Sequence, residues 1–226
     1  MNYFIYKGIN SLDMGIRVNK LPPIVKPSRD VTKIIIPGRS GFLTEDNRTY
    51  KEVIRNVECT VTDLSKIELV NAWLDGSGDV TFSNQDDRFY KASILNQIPF
   101  SKLSRKHSSF IITFDCQPFG YDTENYKITL LAPTIINNMH NYYSEPVIKV
   151  YGSGEVTLSI GSEAITLKNI VDYVTIDTPL MDCYKDTLLK NTDMDGDFPI
   201  IPVGESLFSW TGSITKVEII PNWQYL

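Results

Sequence analysis

The sequence predicts a mainly β chain of two domains with one helix, and three observations carry this. Val, Ile and Thr dominate the apolar segments, and 12 Tyr and 10 Phe join them, all residue types that suit a pleated, half-buried surface. The apolar segments are short, alternate with polar residues and end at Gly, Pro or Asn, as strands and turns do. Charge divides as well: residues 1–133 hold 17 Lys+Arg against 15 Asp+Glu, a net of +2, while residues 134–226 hold 5 against 12, a net of −7. The break separates a domain at 1–133 from one at 134–226.

Residues 3–6, ended by Gly8, read as a first strand, and residues 16–18 as a second. Pro22, Pro23 and Pro27 exclude a central strand or helix at 20–30, which reads as an extended basic connector. Ile34, Ile35 and Ile36 form a β-branched strand that Pro37-Gly38 stops, since proline donates no N–H and glycine tolerates positive φ. Gly41 is a second flexible point, Phe42-Leu43 places two apolar side chains beyond it, and a polar run at 44–49 leads to a new strand from Tyr50. The stretch reads as an excursion, rigid at its Pro37-Gly38 root and apolar near its tip. Two readings fit it: a hairpin loop packed on its own domain, or an arm that another subunit covers. Ile36, Pro37, Gly38, Arg39, Gly41, Phe42 and Leu43 would carry the second.

Residues 50–62 alternate, with Val53, Val57, Cys59 and Val61 on one side, Arg55, Glu58 and Thr60 interleaved, and a slip near Asn56. Ser65 and Glu68 fit a capping box, with Leu64 and Leu69 at staple positions. Ile67, Val70 and Leu74 share a helical face with Trp73 beside it, and Gly76 and Gly78 end this helix of about three turns. Strands at 80–82 and 89–95 make a hairpin around a polar turn at 83–87. A strand at 110–116, ended by Pro118 and Gly120, follows a basic loop at 101–109, and residues 126–131 close the half. Residues 132–144, with Pro133 and three Asn, read as a linker. Beyond it 146–151, 155–160, 163–167, 173–176 and 213–220 read as short strands, with turns at Gly152-Ser153-Gly154, Gly161 and Asp172. That is the spacing of a β-sandwich.

No phosphate loop, nucleophile elbow or zinc spacing is present, so no catalytic residue and no cofactor is assigned. His107 and His140, the two histidines, sit in the basic loop and the linker without a carboxylate or nucleophile nearby in sequence, and read as surface residues. Asn191, Asp193, Asp195, Gly196 and Asp197 imitate the first half of a calcium loop. Pro202 stands where its bidentate Glu belongs, so the segment reads as a polar turn and no metal site is assigned. Tyr173, Tyr184, Trp210 and Trp223 are either core residues or a sugar platform. Cys59, Cys116 and Cys183 read as buried free thiols of a protein made in a reducing cytosol. The first residues lack the basic and apolar regions of a secretory signal, and no apolar run reaches membrane-spanning length, so no membrane insertion is expected. Neither half is basic enough to grip nucleic acid.

The chain resembles the distal tail protein (Dit) family of long-tailed siphophages and related prophage tail particles. The likeness lies in the opening strand with Gly8, the segment from Ser11 to Val18, and Ile36-Pro37-Gly38-Arg39-x-Gly41, which is similar to the family's IPGRxG element. It continues through Ala72-Trp73-Leu74-x-Gly76 and the hairpin from Phe82 to Tyr90-Lys91-Ala92. Pro146-x-Ile148-x-Val150-x-Gly152-Ser153-Gly154 resembles the start of the family's galectin-like domain, and Ile176-Asp177 and Phe198-Pro199-x-x-Pro202-x-Gly204 its later strands. The resemblance implies an N-terminal β-sandwich or split barrel and a C-terminal galectin-like sandwich; this sequence departs from the family in its short C-terminal half, which has room for a plain sandwich but no inserted carbohydrate-binding module. It also implies a non-enzymatic virion protein at the tail tip, made in the bacterial host cytoplasm. Its first domain would form a hexameric ring continuing the tail tube, with DNA only as passing cargo. Its partners would be the tail-tube protein, the tail-associated lysin or tail fibre, and receptor-binding proteins. The rival reading is a carbohydrate-binding module used in host adhesion.

Overall fold

Strands make up most of the chain, and a single α-helix interrupts them among the described residues. The computed structural model describes residues 1–102 and 108–226. The chain divides into residues 1–120 with Leu226 and residues 121–225. This division lies ahead of 133, because the strands at Ile128–Leu130 and Thr134–Asn138 both pair with a strand of the second unit. The charge break therefore falls inside a sheet, and 132–144 is not simply a linker.

The first unit contains β1 (Phe4–Tyr6), β2 (Ile9–Asn10), β3 (Ile16–Lys20), β4 (Arg29–Ile34), β5 (Leu43–Tyr50), β6 (Val53–Val61), α1 (Ile67–Trp73), β7 (Gly76–Phe82), β8 (Gln85–Ile94), β9 (Ser101–Lys102) and most of β10 (Ser108–Asp122). Its sheet runs in the order β2-β1-β7-β8-β10-β6-β3, with β9 on β10. The two ends of this path meet at buried Ser11. Its hydroxyl accepts from Phe4 N–H, its own N–H donates to Phe4 O, and its carbonyl accepts from Ile16 N–H. The sheet thus curls around one core that includes Phe4, Tyr6, Val57, Phe82, Ile112 and Phe114.

β6 pairs with β10 without a break from Val53↔Cys116 to Val61↔Ser108, so there is no slip at Asn56. Arg55 takes the place of an apolar residue on the inward face, and this is why the alternation reads as broken. Ser65 does not cap the helix; Asp63 caps a 3-10 turn ahead of it, and α1 itself has no side-chain cap. The Asp63 carboxylate accepts from the Ser65 N–H and hydroxyl, a 3-10 turn follows at Leu64–Lys66, and α1 begins only at Ile67. Leu69, the expected staple, is exposed, whereas Val70, Trp73 and Leu74 are buried as the helical face requires. Trp73 stacks on Phe4 at 5.6 Å and donates its ring N–H to Tyr6 O. The turn between β7 and β8 narrows to Ser83-Asn84, and β10 continues through Pro118 and Gly120. Its pairing with β6 ends at Cys116, so Pro118 withholds no N–H from that ladder. The basic loop is shorter than 101–109, since β9 pairs with the start of β10. His107 lies outside the described residues.

The second unit contains β11 (Ile128–Leu130), β12 (Thr134–Asn138), β13 (Val147–Ile160), β14 (Glu163–Asp177), β15 (Asp182–Lys185), β16 (Leu188–Leu189), β17 (Met194–Asp195), β18 (Gly204–Ile220) and β19 (Gln224–Tyr225). Its path is β11-β18-β13-β14-β15-β16, with β12 on β18 and β17 on β14. The short strands expected at 146–151 and 155–160 are one strand, as are those at 163–167 and 173–176. Register shifts within β13–β14 and β13–β18 explain the error. In β14 the buried positions change parity from Ile165 and Leu167 to Ile170, Val174 and Ile176 across Asn169, whose φ is +54°. Gly152 is a close approach and not a turn: a Cβ there would lie 2.3 Å from Ser213 O. The bulges keep apolar side chains of β13, β14 and β18 turned towards one core around Ile148, Leu158, Phe208 and Val217.

Candidate assembly surface

β4 and β5 form a two-stranded sheet of their own, an arm between β3 and β6. The polar run at 44–49 is therefore strand, held by backbone pairing from Arg29↔Tyr50 to Ile34↔Leu43. Its side chains are exposed, so no alternation marks it in sequence. The root is set at the opposite end from Pro37-Gly38. Arg29 lies over the Tyr50 ring at 4.6 Å, Tyr50 meets Phe119 edge-on at 5.7 Å, and Lys51 N–H donates to Ser28 O. Pro37 and Gly38 sit in the turn at the tip, where Arg39 N–H donates to Ile36 O and Gly38 and Gly41 adopt φ of +81° and +86°.

The tip is apolar and open. Ile35 is 79% exposed, Phe42 52%, and Ile34, Ile36 and Leu43 are exposed with them. Ile34 and Leu43 are cross-strand partners, while Phe42 has Lys33 Nζ 4.7 Å from its ring centroid. The structure thus gathers Ile36, Phe42 and Leu43 at one end and adds Ile34 and Ile35, which the sequence reading left in the strand. A lone two-stranded hairpin is at best marginally stable in water, so an apolar tip of this kind gains from cover.

The other candidate residues scatter. His140 is no surface residue: its Nε2 lies 2.7 Å from Asp122 Oδ2, its ring stacks on Trp223 at 5.4 Å, and Tyr225 donates to the same carboxylate. The partner lies 18 positions away, beyond any local sequence signal. Asn191 binds Cys183 N–H and Asp182, and Asp193 accepts from Asn169 and Lys190, so these calcium-like positions are engaged by the chain itself. Trp210 and Trp223 pack on the second core. Tyr173 instead pairs with Tyr151, with Lys149 Nζ 3.7 Å above its ring. Tyr184 lies in β15 opposite Thr175, whereas Trp210 and Trp223, which pack on the core, join no platform with Tyr173 and Tyr184. Cys59, Cys116 and Cys183 are free and buried, and burial raises their thiols to about 12, about 12 and about 11.

No family model and no curated protein matches the chain. Among solved structures, it is similar to the Dit protein of phage SPP1, described as a paradigm of the hub adsorption apparatus in Gram-positive infecting phages. The match covers 100% of both chains with a TM-score of 0.77 and 16% identity. Few residues are shared, yet from end to end the chain has the fold of SPP1 Dit.

Proposed function

We propose that the chain is a structural hub protein at the distal tip of a long-tailed phage or of a prophage tail particle. The full-length likeness to a hub protein of known structure carries this reading. In it the first unit forms a hexameric ring that continues the tail tube, and DNA passes through as cargo. The second unit is a galectin-like sandwich that holds other tail proteins: the tail-associated lysin or fibre and the receptor-binding proteins. The tail-tube protein is the neighbour on the tube side. The chain performs no catalysis and resides in the virion after synthesis in the host cytoplasm.

The arm supports the ring. In a cyclic assembly each arm reaches one neighbour, the contact is heterologous, and closure leaves no arm uncovered. Ile36, Phe42 and Leu43 supply the apolar contact, and Pro37, Gly38 and Gly41 shape the turn that presents it. Arg39 adds a cation that has no side-chain partner among the described residues. Replacing Phe42 and Leu43 together by Ser tests the reading, with light scattering for size and circular dichroism for folding. The wild type should assemble and the double variant should stay folded but dissociate. A monomeric wild type would remove the ring. A fully assembled variant would remove the arm contact, and an unfolded one would return the arm to its own core.

A further inference from the structure

The second unit leaves one edge of its sheet unprotected. β12 pairs with β18 from Thr134↔Phe208 to Asn138↔Gly204 and, among the described residues, with no strand on its other side. Proteins blunt exposed sheet edges with short strands, charged side chains or bulges. The other edge strands of this sheet follow that rule. β11, β16 and β17 are two or three residues long, Lys127 precedes β11, Lys190 follows β16, and Asp195 lies in β17. The open stretch of β14 at 168–174 carries Lys168 and Asp172. β12 has five residues and no charge. The whole of 128–144 lacks Asp, Glu, Lys and Arg, within a unit whose 6 Lys face 14 Asp+Glu, a net of −8.

The edge is also apolar on its outer face. Ile136 is buried, which turns Ile135 outward beside its cross-strand partner Leu207, and these two are 59% and 49% exposed. Leu131 and Met139, on either side of β12, and Val203, just ahead of β18, are exposed with them.

We propose that β12 pairs with β12 of a second copy, antiparallel across a two-fold axis. The two sheets then continue as one, and Ile135 and Leu207 of both copies form a single apolar strip. The missing charge is what selects a second copy. Two units of net −8 repel each other over most of their surface, so they approach most readily where charge is absent. An acidic or basic partner strand would find no opposite charge on β12 to hold it. Glu205, in register with Asn137, lies one strand back on β18. Two such carboxylates would be three strand spacings apart, about 14 Å, beyond the screening length of roughly 8 Å at physiological salt. The seam does not depend on the hub reading; where the ring forms, the seam joins two rings.

Light scattering on the full chain tests this. Ile135→Glu puts like charges at the axis and should halve the mass of the wild-type particle with an unchanged melting curve, and Ile135→Lys should do the same. Mixing the two variants in equal amounts should restore the wild-type mass, because unlike charges then meet across the seam. A partner other than a second copy would give no such rescue. The proposal is overturned if either variant keeps the wild-type mass, or if the mixture is no heavier than its parts. The Phe42→Ser, Leu43→Ser double variant separates this seam from the ring. If it keeps the wild-type mass while Ile135→Glu halves it, the arm contact falls and the seam stands. If it dissociates while Ile135→Glu changes nothing, the seam falls and the arm contact stands.

Discussion

The guanidinium of Arg55 lies over the ring of Tyr90, 4.0 Å from its centroid, inside the first unit. Arg55 is 4% exposed, and its Nε and Nη1 have no hydrogen-bond partner among the described residues. Burying a cation without a carboxylate is costly, and the electron-rich ring face offsets only part of that cost. R55M keeps the stem and removes the charge, and should leave the fold intact while raising stability by about 1–4 kcal/mol. Y90L, which strips the ring from a buried cation, should lower it by about 3 kcal/mol or more. Urea melts of both decide the matter, and a destabilised R55M would show that the guanidinium is bonded in solution.

Val70 is fully buried on α1, in the core that Phe4, Trp73 and Leu74 share. V70D puts a carboxylate there without a cation to meet it. Loss of more than about 4 kcal/mol, enough to unfold the first unit, is expected by circular dichroism. An unchanged melting curve would mean that the face is not core.

Gly152 and Gly161 should respond differently to alanine. At Gly152 the new methyl would sit 2.3 Å from Ser213 O, so β13 and β18 must separate. At Gly161 nothing lies within 4 Å, and only its φ of +58° opposes the change. G152A should cost about 3 kcal/mol or more and G161A about 1 kcal/mol, read from thermal melts.

Glu218 makes the second unit acid-sensitive. Lys216 donates to it at 2.8 Å and is the main cause that holds its carboxyl down at about 2, against an ordinary 4.5, with Tyr151 and Lys127 assisting. A carboxyl depressed in the folded state contributes stability that is complete above pH 4.5 and is lost as pH falls towards 2. E218Q should therefore flatten the stability profile of the wild type between those two values. Parallel profiles would show that Glu218 contributes nothing in that window.

Periodicity was legible wherever one side of an element faces the core. Val57, Cys59 and Val61 on β6 and Val70, Trp73 and Leu74 on α1 are buried as their spacing requires. The same logic failed at Arg55, because a cation on the inward face mimics a slip in register. It failed at β5 because a strand exposed from Leu43 to Thr49 has no buried side to record.

By itself the sequence determined the β class, the buried face of α1 and the apolar excursion, since these depend on neighbours within a few residues. Tertiary structure alone decided which short segments join across bulges, that β11 and β12 belong with β18, and that His140 meets Asp122. It also decided that the arm roots at Arg29 and Tyr50 while Pro37-Gly38 sits at its tip. Those outcomes rest on backbone pairing and side-chain contacts between residues distant in the chain, for which the order of local residue types holds no signal.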